Sequence, residues 1–456
     1  MIKLFGRMKK FFFLLVLFPF FLLNSCSFLK PKIPPYPTGI IFPLEEASRV
    51  IYEGEIIKHV QKMGENLCFS TDKGFVYCLD GAKHEILWKF QAHDSISNSP
   101  FLGQERLYVF DRTNTLYGLD RKGKVLWEKK IEESISSEVR ENQEKVYFGT
   151  EEGEFFALSA SSGEELWRFK AGGSVSAAAS FFGNLIVFGS DEGKLYFLDQ
   201  KGRLQEILEV GSKIQAAPLL DGNCLYFSSD DHYFHCFDLN KRKRRWKIKT
   251  GGKAFVSPVA SERRIFFLGS NSVLTCLNKK NGELLWWKAI PSRSFYDLEI
   301  IGDRIVASSL SPVLVCFDLK TGEEKGKYEA SQEIRSNPLW YPPYLLINLY
   351  DFQKKEGSLV FLKKEIKVFL TPSLQPPQKM GQEISFSASA VGFYRPKFEF
   401  YLKIGEKKEV VQKESEKNSW IWFPEREGAY TVGVKISDEK EKSEAEIPFE
   451  ITKNCP

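Results

Sequence analysis

The chain has 456 residues, 43% hydrophobic and 27% charged, a composition typical of folded proteins and unlike that of disordered ones. Its net charge of only +5 disfavours a protein that binds duplex nucleic acid with its whole surface. Eight cysteines are too few for a disulfide scaffold, and an aromatic content of 14% with only four methionines favours β-sheets over helical bundles.

The first 26 residues have the pattern of a bacterial lipoprotein signal. An apolar run, Phe11–Leu23, follows a basic N-terminus and is too short to cross a membrane as a helix of about 20 residues. The sequence continues Asn24-Ser25-Cys26, which resembles a lipobox, so residues 1–25 are predicted to be the signal peptide and Cys26 the lipidated residue. The alternative is an ordinary secretory peptide with an unmodified cysteine. Ser27, where aspartate would favour the inner membrane, favours the outer membrane.

Residues 26–46 are predicted to be the lipidated cysteine followed by a tether. Five prolines favour an extended backbone there, namely Pro31, Pro34, Pro35, Pro37 and Pro43. At about 3.1 Å per residue, such a segment reaches roughly 50 Å. The mature protein is therefore expected to be lipid-anchored, with its folded part held away from the membrane surface.

The middle of the chain, from about residue 54 to 330, repeats with a period of about forty. Tryptophans mark the period at spacings of 39, 40, 79 and 40 residues, namely Trp88, Trp127, Trp167, Trp246 and Trp286. The double spacing leaves a slot without tryptophan at Glu206, and one further step reaches Gly326. Each unit holds short apolar strands separated by turns such as Glu152-Gly153. Four short strands in about forty residues are typical of a β-propeller blade.

The repeat count predicts a closed ring of eight blades. Seven complete units are followed by an eighth, which begins at Ile334 and has no outer strand after it. One period before Trp88 lies Ser48-Arg49, so the segment Arg49–Tyr52 is free to supply the missing strand. Closure of this kind removes the open ends of a linear array. We therefore predict an all-β fold with an eight-bladed β-propeller at residues 47–364.

Residues 365–456 are predicted to form a second β-domain. The forty-residue phase ends after Leu362, and alternating apolar residues follow, as in Tyr430-x-Val432-x-Val434. About seven strands in roughly 90 residues are typical of an antiparallel sandwich. The segment that begins at Trp420 resembles bacterial Ig-like or PKD-like modules, although it lacks the paired cysteines of antibody domains.

The repeat unit resembles that of PQQ-type β-propellers. The copy nearest to that pattern is Gly153–Trp167, GEFFALSASSGEELW. Together with the lipobox and the eight units, it resembles the BamB family, lipoproteins of the outer-membrane β-barrel assembly machinery, over about residues 45–365. The motif is specific for the fold but says little about function, because it is a packing motif that enzymes and scaffolds share. The resemblance implies a blade-docking role for the tryptophans, which we assign to Trp88, Trp127, Trp167, Trp246 and Trp286.

The same resemblance implies a non-enzymatic, lipid-anchored envelope scaffold on the periplasmic side of the outer membrane. It would assist the assembly and insertion of β-barrel proteins. Its expected partners are barrel-assembly or other envelope proteins, not nucleic acid, and no cofactor is expected. One alternative is a PQQ-dependent or PQQ-like ligand-binding quinoprotein, disfavoured by the lack of adjacent cysteines and by the short propeller. Another is a cell-surface lipoprotein that mediates adhesion or binds glycans through its Ig-like module.

The cysteines of the repeat have two interpretations. Cys78, Cys236, Cys276 and Cys316 occupy one repeat position on different blades, so they cannot converge on one metal ion. They are predicted to be small buried side chains. Cross-strand disulfides that pair Cys68 with Cys78, or Cys224 with Cys236, are the alternative.

Two polar clusters also stand out. The segment Asp230–His235 contains metal-ligand residue types, but side chains that alternate along a strand favour a hairpin with polar substitutions. Five consecutive cations precede Trp246, namely Lys241, Arg242, Lys243, Arg244 and Arg245. They are interpreted either as a solvated turn or as a patch for lipid head groups, lipopolysaccharide phosphates or an acidic partner. No metal site and no catalytic constellation is recognised.

Residues that follow the inner position of each unit are predicted to approach the axial channel. They are small or polar in the first units and apolar later, namely Ser97, Asn98, Ser136, Ser137, Ser176, Ala177, Gln215 and Ala216, then Phe255, Val256, Phe295 and Tyr296. A channel with one apolar wall is therefore expected, either as packing or as a small-molecule pocket.

Overall fold

The computed structural model describes residues 42–96, 98–254 and 256–453. Within these ranges every regular element is a β-strand, and no helix there is long and apolar enough to cross a membrane. The predicted signal peptide, Cys26 and most of the predicted tether lie outside the described residues. So do Ser97 and Phe255 of the predicted channel lining.

The first seven blades are four-stranded antiparallel sheets in which the strands follow chain order. Blade 1 comprises Gln61–Met63, Asn66–Ser70, Phe75–Asp80 and Ile86–Gln91. Blade 2 comprises Phe101–Leu102, Arg106–Phe110, Thr115–Asp120 and Val125–Lys130. Blade 3 comprises Arg140–Asn142, Lys145–Gly149, Glu154–Ser159 and Glu165–Lys170. Blade 4 comprises Ser180–Phe182, Leu185–Gly189, Lys194–Asp199 and Leu204–Glu209.

Blades 5 to 7 have the same organisation. Blade 5 comprises Leu219–Asp221, Cys224–Ser229, Tyr233–Asp238 and Lys243–Lys249. Blade 6 comprises Val259–Ala260, Arg264–Leu268, Val273–Asn278 and Leu284–Ala289. Blade 7 comprises Glu299–Ile301, Arg304–Ser308, Val313–Asp318 and Glu324–Glu329. In each of these blades the two middle strands are largely buried, whereas the outer strand is mostly exposed or half-buried, with Trp127 of blade 2 and Trp286 of blade 6 buried.

Blade 8 joins the two ends of the ring. Its later strands are Glu333–Ile334, Leu339–Tyr341, Tyr344–Asp351 and Glu356–Lys364, and its outer strand is Leu44–Glu53. The outer strand pairs antiparallel with Glu356–Lys364, with Arg49 opposite Val360. The predicted closing strand is thus confirmed. It begins earlier than the sequence indicated, so residues 44–46, assigned to the tether, belong to the blade, where Leu44 packs into the core.

Residues 367–452 form two further sheets with a shared core. One contains Lys367–Pro372, Ile384–Val391 and Ser419–Trp422, and the other contains Gln378–Lys379, Lys397–Ile404, Lys407–Ser415, Gly428–Ser437 and Lys442–Thr452. Phe386 of the first sheet and Val434 of the second are fully buried in one cluster. The Tyr430 hydroxyl donates to the Arg426 carbonyl at 2.8 Å, a bond of the kind that fixes a corner in immunoglobulin sandwiches. The immunoglobulin-like assignment stays a prediction.

Candidate functional site

The five repeat tryptophans lie at the junctions between blades. Each indole N–H donates to a backbone carbonyl 33 residues later, in the next blade. The pairs are Trp88–Arg121, Trp127–Ala160, Trp167–Gln200, Trp246–Lys279 and Trp286–Leu319, at 2.9 to 3.2 Å. The ring also covers a turn glycine of that blade, as Trp127 covers Gly163, where a Cβ would lie 2.6 Å from the indole. Only glycine fits this position without displacing the tryptophan.

Three of the four repeat cysteines stand directly opposite these tryptophans, and the fourth, Cys316, stands opposite Gly326. In register, Cys78 faces Trp88, Cys236 faces Trp246 and Cys276 faces Trp286. Blade 2 has Gly118 at the same position, where a Cβ would come within 2.4 Å of the Trp127 ring. The position therefore selects small side chains because the indole takes up the space above it. Burial raises the pKa of the Cys276 thiol to about 12, which keeps it protonated.

Three junctions lack tryptophan and use other contacts. At the first slot, the carboxylate of Glu206 lies 3.7 Å from Arg242, which replaces the turn glycine of the next blade. Phe197 occupies the position opposite Glu206 on the paired strand. At the Gly326 slot, Phe42 packs on the glycine from the segment before the closing strand. At the third slot, Ser48 lies 3.3 Å from His84 Nδ1.

His84 also completes the ring closure. Its imidazole stacks on Phe361 of blade 8, with ring centroids 3.9 Å apart. Its backbone has a φ of 62°, so it occupies the left-handed conformation that a turn glycine adopts in blades 2, 3, 4, 6 and 7. The sequence identified the three positions that lack tryptophan, but it did not indicate which residues make the contacts at those junctions.

Some residues of the five-cation run, Lys241–Arg245, make contacts within the fold, and others lie exposed on the outer strand. Arg245 forms an ion pair of 2.8 Å with Asp238, whose carboxylate is buried. The backbone N–H of Lys241 bonds to the same carboxylate and helps to hold its pKa below the usual range. Arg242 faces Glu206, as described above. Lys243 and Arg244 are exposed on the outer strand of blade 5.

The polar side chains of the segment Asp230–His235 do not converge on a common site. Asp230 pairs with Lys253 at 2.6 Å, whereas His235 is buried, bonds to Ser229 at 2.9 Å and stacks on Phe227. Within the described part of the chain, no three histidine, cysteine or acidic side chains are grouped so that they could hold a metal ion. The Sγ atoms of Cys68 and Cys78 lie 2.9 Å apart on paired strands, and both residues are free thiols.

Acidification is expected to destabilise the protein through His235. Burial lowers the pKa of His235 to about 4, against about 6.5 in an unfolded chain. As the pH falls, the unfolded state binds a proton on His235 before the folded state does. The contribution of neutral His235 to stability is therefore complete above pH 6.5 and is lost as the pH falls towards 4. The free energy of unfolding falls by about 3 kcal/mol as a result. Denaturant unfolding at pH 7 and pH 4.5 should show a smaller loss for His235→Phe than for the wild type; equal losses would contradict this assignment.

The axial channel opens into a cavity of about 450 Å³ at one mouth. Segments that precede or begin the inner strands of several blades line it, among them Lys58, His59, Asn98, Arg140 and Arg335. Tyr296 contributes an aromatic wall, as predicted, whereas Val256 is 3% exposed and packs inside the fold. Asn98 was predicted to approach the channel, but the charged lining was not predicted. Arg335 holds a repeat position, directly after Ile334, that was not named, and Arg140 lies five residues after the inner position Ile135.

A polar network narrows the channel below this mouth. Asn337 donates from its side chain to Asp297 at 3.1 Å and from its backbone to His59 Nδ1 at 3.0 Å. Burial raises the pKa of Asp297 and lowers that of His59 to about 4, so burial favours the neutral form of both groups. A smaller cavity of about 150 Å³, lined by both residues and by Phe295, continues from here. The channel interior is therefore polar, with an aromatic segment on one side.

Fold, repeat and blade junctions together define a PQQ-type β-propeller. The profile of the family described as "Outer membrane protein assembly factor BamB" matches residues 72–254 and 237–340, more than half of the chain. The chain therefore belongs to this family. No curated protein sequence matches it.

Solved structures show the same fold at low sequence identity. The crystal structure of BamB from Moraxella catarrhalis matches with a TM-score of 0.61 and 16% identity, over 71% of this chain and 98% of that one. The computationally designed Ika8 protein matches with a TM-score of 0.59 and 12% identity, over 68% and 96%. Quinohemoprotein alcohol dehydrogenase from Comamonas testosteroni matches with a TM-score of 0.56 and 11% identity, over 70% and 76%.

Proposed function

We propose that the protein is a non-enzymatic scaffold that assists the assembly and insertion of β-barrel proteins into the outer membrane. It is held on the periplasmic side by a lipid on Cys26 and works without a resident cofactor. The observation that carries the proposal is the family match over residues 72–340. Its partners are barrel-assembly or other envelope proteins.

The outer strands of the blades support a role in protein binding. The outer strand of blade 6 exposes Leu284, Leu285 and Trp287, the last by 58% of its surface. Leu87 of blade 1 and Leu126 of blade 2 are also about half exposed. Each outer strand ends its sheet, so one row of its backbone groups is open to a further strand. Such edges suit strand addition and apolar contact with a partner.

Copurification from envelope membranes tests the proposed partners. The full-length protein, crosslinked in cells and purified from detergent-solubilised membranes, is expected to bring down subunits of the barrel-assembly machinery. Recovery without any such subunit would contradict the proposed role. Replacing residues 1–26 with the signal peptide of a non-lipidated secreted protein serves as the control for the anchor, because it removes the lipid acceptor, still allows signal cleavage, and should move the protein from the membrane to the soluble fraction.

Protease treatment of intact cells tests the proposed location. A periplasmic protein should survive the treatment and be degraded only after the outer membrane is permeabilised. Degradation in intact cells would instead favour the cell-surface alternative.

A further inference from the structure

Three cationic side chains from distant parts of the sequence line the cavity at the mouth of the axial channel. Lys58 precedes blade 1, Arg140 begins the inner strand of blade 3, and Arg335 follows the first strand of blade 8. All three side chains line the cavity of about 450 Å³. Cavities of roughly 300–1,000 Å³ are the usual size of small-molecule sites. The ring closure brings these groups together, since they are far apart in sequence.

The carboxylates nearby balance two of these three charges, those of Arg140 and Arg335. Glu138 is the one acidic residue of the cavity lining; it bonds to Arg140 at 2.6 Å and is 65% exposed. Glu333 bonds to Arg335 at 3.0 Å from outside the lining. Lys58 forms no ion pair among the residues that the structure describes, although the negative charge of Asp72 raises its pKa. The lining therefore has more cationic than anionic groups.

The charge of Lys58 is set mainly by its burial. Burial lowers the pKa of Lys58, the negative charge of Asp72 raises it, and the positive charge of Arg335 lowers it to a smaller extent. Like charges in a partly desolvated cavity repel more strongly than in bulk water. An anion between them would offset this repulsion and form charge-assisted hydrogen bonds with both.

Neutral groups complete the cavity wall. The side-chain oxygen of Asn98 is buried and has no hydrogen-bond partner among the described residues, so it can accept a bond from a ligand hydroxyl or N–H. The Arg140 guanidinium lies 5.1 Å from the Phe101 ring, a contact that fixes its orientation. Tyr296 and His59 add aromatic edges. The wall thus offers cations, one acceptor and flat apolar surface.

We propose that this channel mouth binds a small organic anion that carries at least two carboxylate or phosphate groups. Lys58 and Arg335 would bind one anionic group and Arg140 the other. The inference is independent of the proposed assembly role, because it concerns the channel and not the outer strands or the lipid anchor.

Isothermal titration calorimetry on the full-length protein tests this site, with citrate and pyrophosphate as probes at constant ionic strength. At least one probe is expected to bind saturably, and the preference between them separates a carboxylate site from a phosphate site. Lys58→Gln should weaken binding tenfold or more. This variant suits the test because Lys58 has no ion pair whose loss would leave a buried carboxylate.

Two controls keep the result interpretable. Lys58→Arg keeps the charge and should retain binding, while Lys241→Gln removes an exposed cation outside the cavity and should leave the affinity unchanged. No saturable binding of either probe would overturn the inference. So would binding that Lys58→Gln, shown by circular dichroism to be folded, does not weaken. Copurification with envelope proteins would be unaffected by either outcome.

Discussion

Replacing Tyr52 with alanine is expected to lower the free energy of unfolding by about 3–5 kcal/mol, the usual range for removing a buried aromatic ring. Tyr52 belongs to the outer strand of blade 8 but packs against blade 1. Its ring lies 5.1 Å from Phe69 and 5.0 Å from Tyr77, and it is 7% exposed. Its loss would leave a cavity at the point where the chain closes the ring. Urea denaturation followed by tryptophan fluorescence measures the change.

Two variants act as controls for Tyr52→Ala. Ile51→Ala changes the neighbouring residue of the same strand, which is 54% exposed, and should alter stability by less than about 1 kcal/mol. Tyr52→Phe keeps the ring and removes a hydroxyl that has no hydrogen-bond partner among the described residues, so it should be nearly neutral. A loss from Ile51→Ala as large as that from Tyr52→Ala would contradict the described packing.

Replacing Trp127 with alanine is expected to have a similar effect, about 3–5 kcal/mol. The indole is 7% exposed, donates to the Ala160 carbonyl at 2.9 Å and covers Gly163 of the next blade. The variant loses apolar burial and a hydrogen bond across one blade junction together. It also leaves the Ala160 carbonyl without its donor.

The neighbouring residue again provides the control for Trp127→Ala. Leu126 lies on the same outer strand, is 46% exposed, and should tolerate alanine with a change below about 1 kcal/mol. The two variants are compared by the urea concentration at the midpoint of unfolding. Equal midpoints would show that the tryptophan does not hold the junction.

The tryptophan period was sufficient to predict the number of blades and the closing strand. It works because each tryptophan occupies one geometric position, opposite a small residue and above the turn of the next blade. Wherever this pair is intact, as for Trp167 and Gly202, the sequence itself marks the junction. The alternation of Tyr430, Val432 and Val434 similarly predicted a sandwich strand, since these residues all face the core.

The slots without tryptophan could not be predicted in the same way. Their contacts join residues that share no motif, such as Glu206 with Arg242 or Gly326 with Phe42. The start of the closing strand was placed too late because Pro43 favoured a tether, although Leu44 is buried.

The charged channel mouth was missed for a related reason. Lys58, Arg140 and Arg335 lie on segments that only the ring brings together. Arg335 follows Ile334, and Lys58 follows Ile57, one period before Ile96, so both hold the repeat position that approaches the axis, whereas Arg140 lies five residues after Ile135. The repeat phase predicted which segments approach the axis, but not which side chains of those segments point into it. Tyr296, which lies two residues after the inner position Ser294, was identified correctly as a lining residue.

Hydrogen–deuterium exchange of the full-length protein, read by mass spectrometry, tests the closure of the ring most directly. Peptides that cover Leu44–Glu53, an edge strand, should contain slowly exchanging amides, about half of the total, where the strand bonds to Glu356–Lys364; peptides from Glu356–Lys364, which has a partner strand on each side, should be protected along their length. Exchange of the first segment within seconds, at the rate of an unpaired chain, would contradict the eight-bladed closed ring.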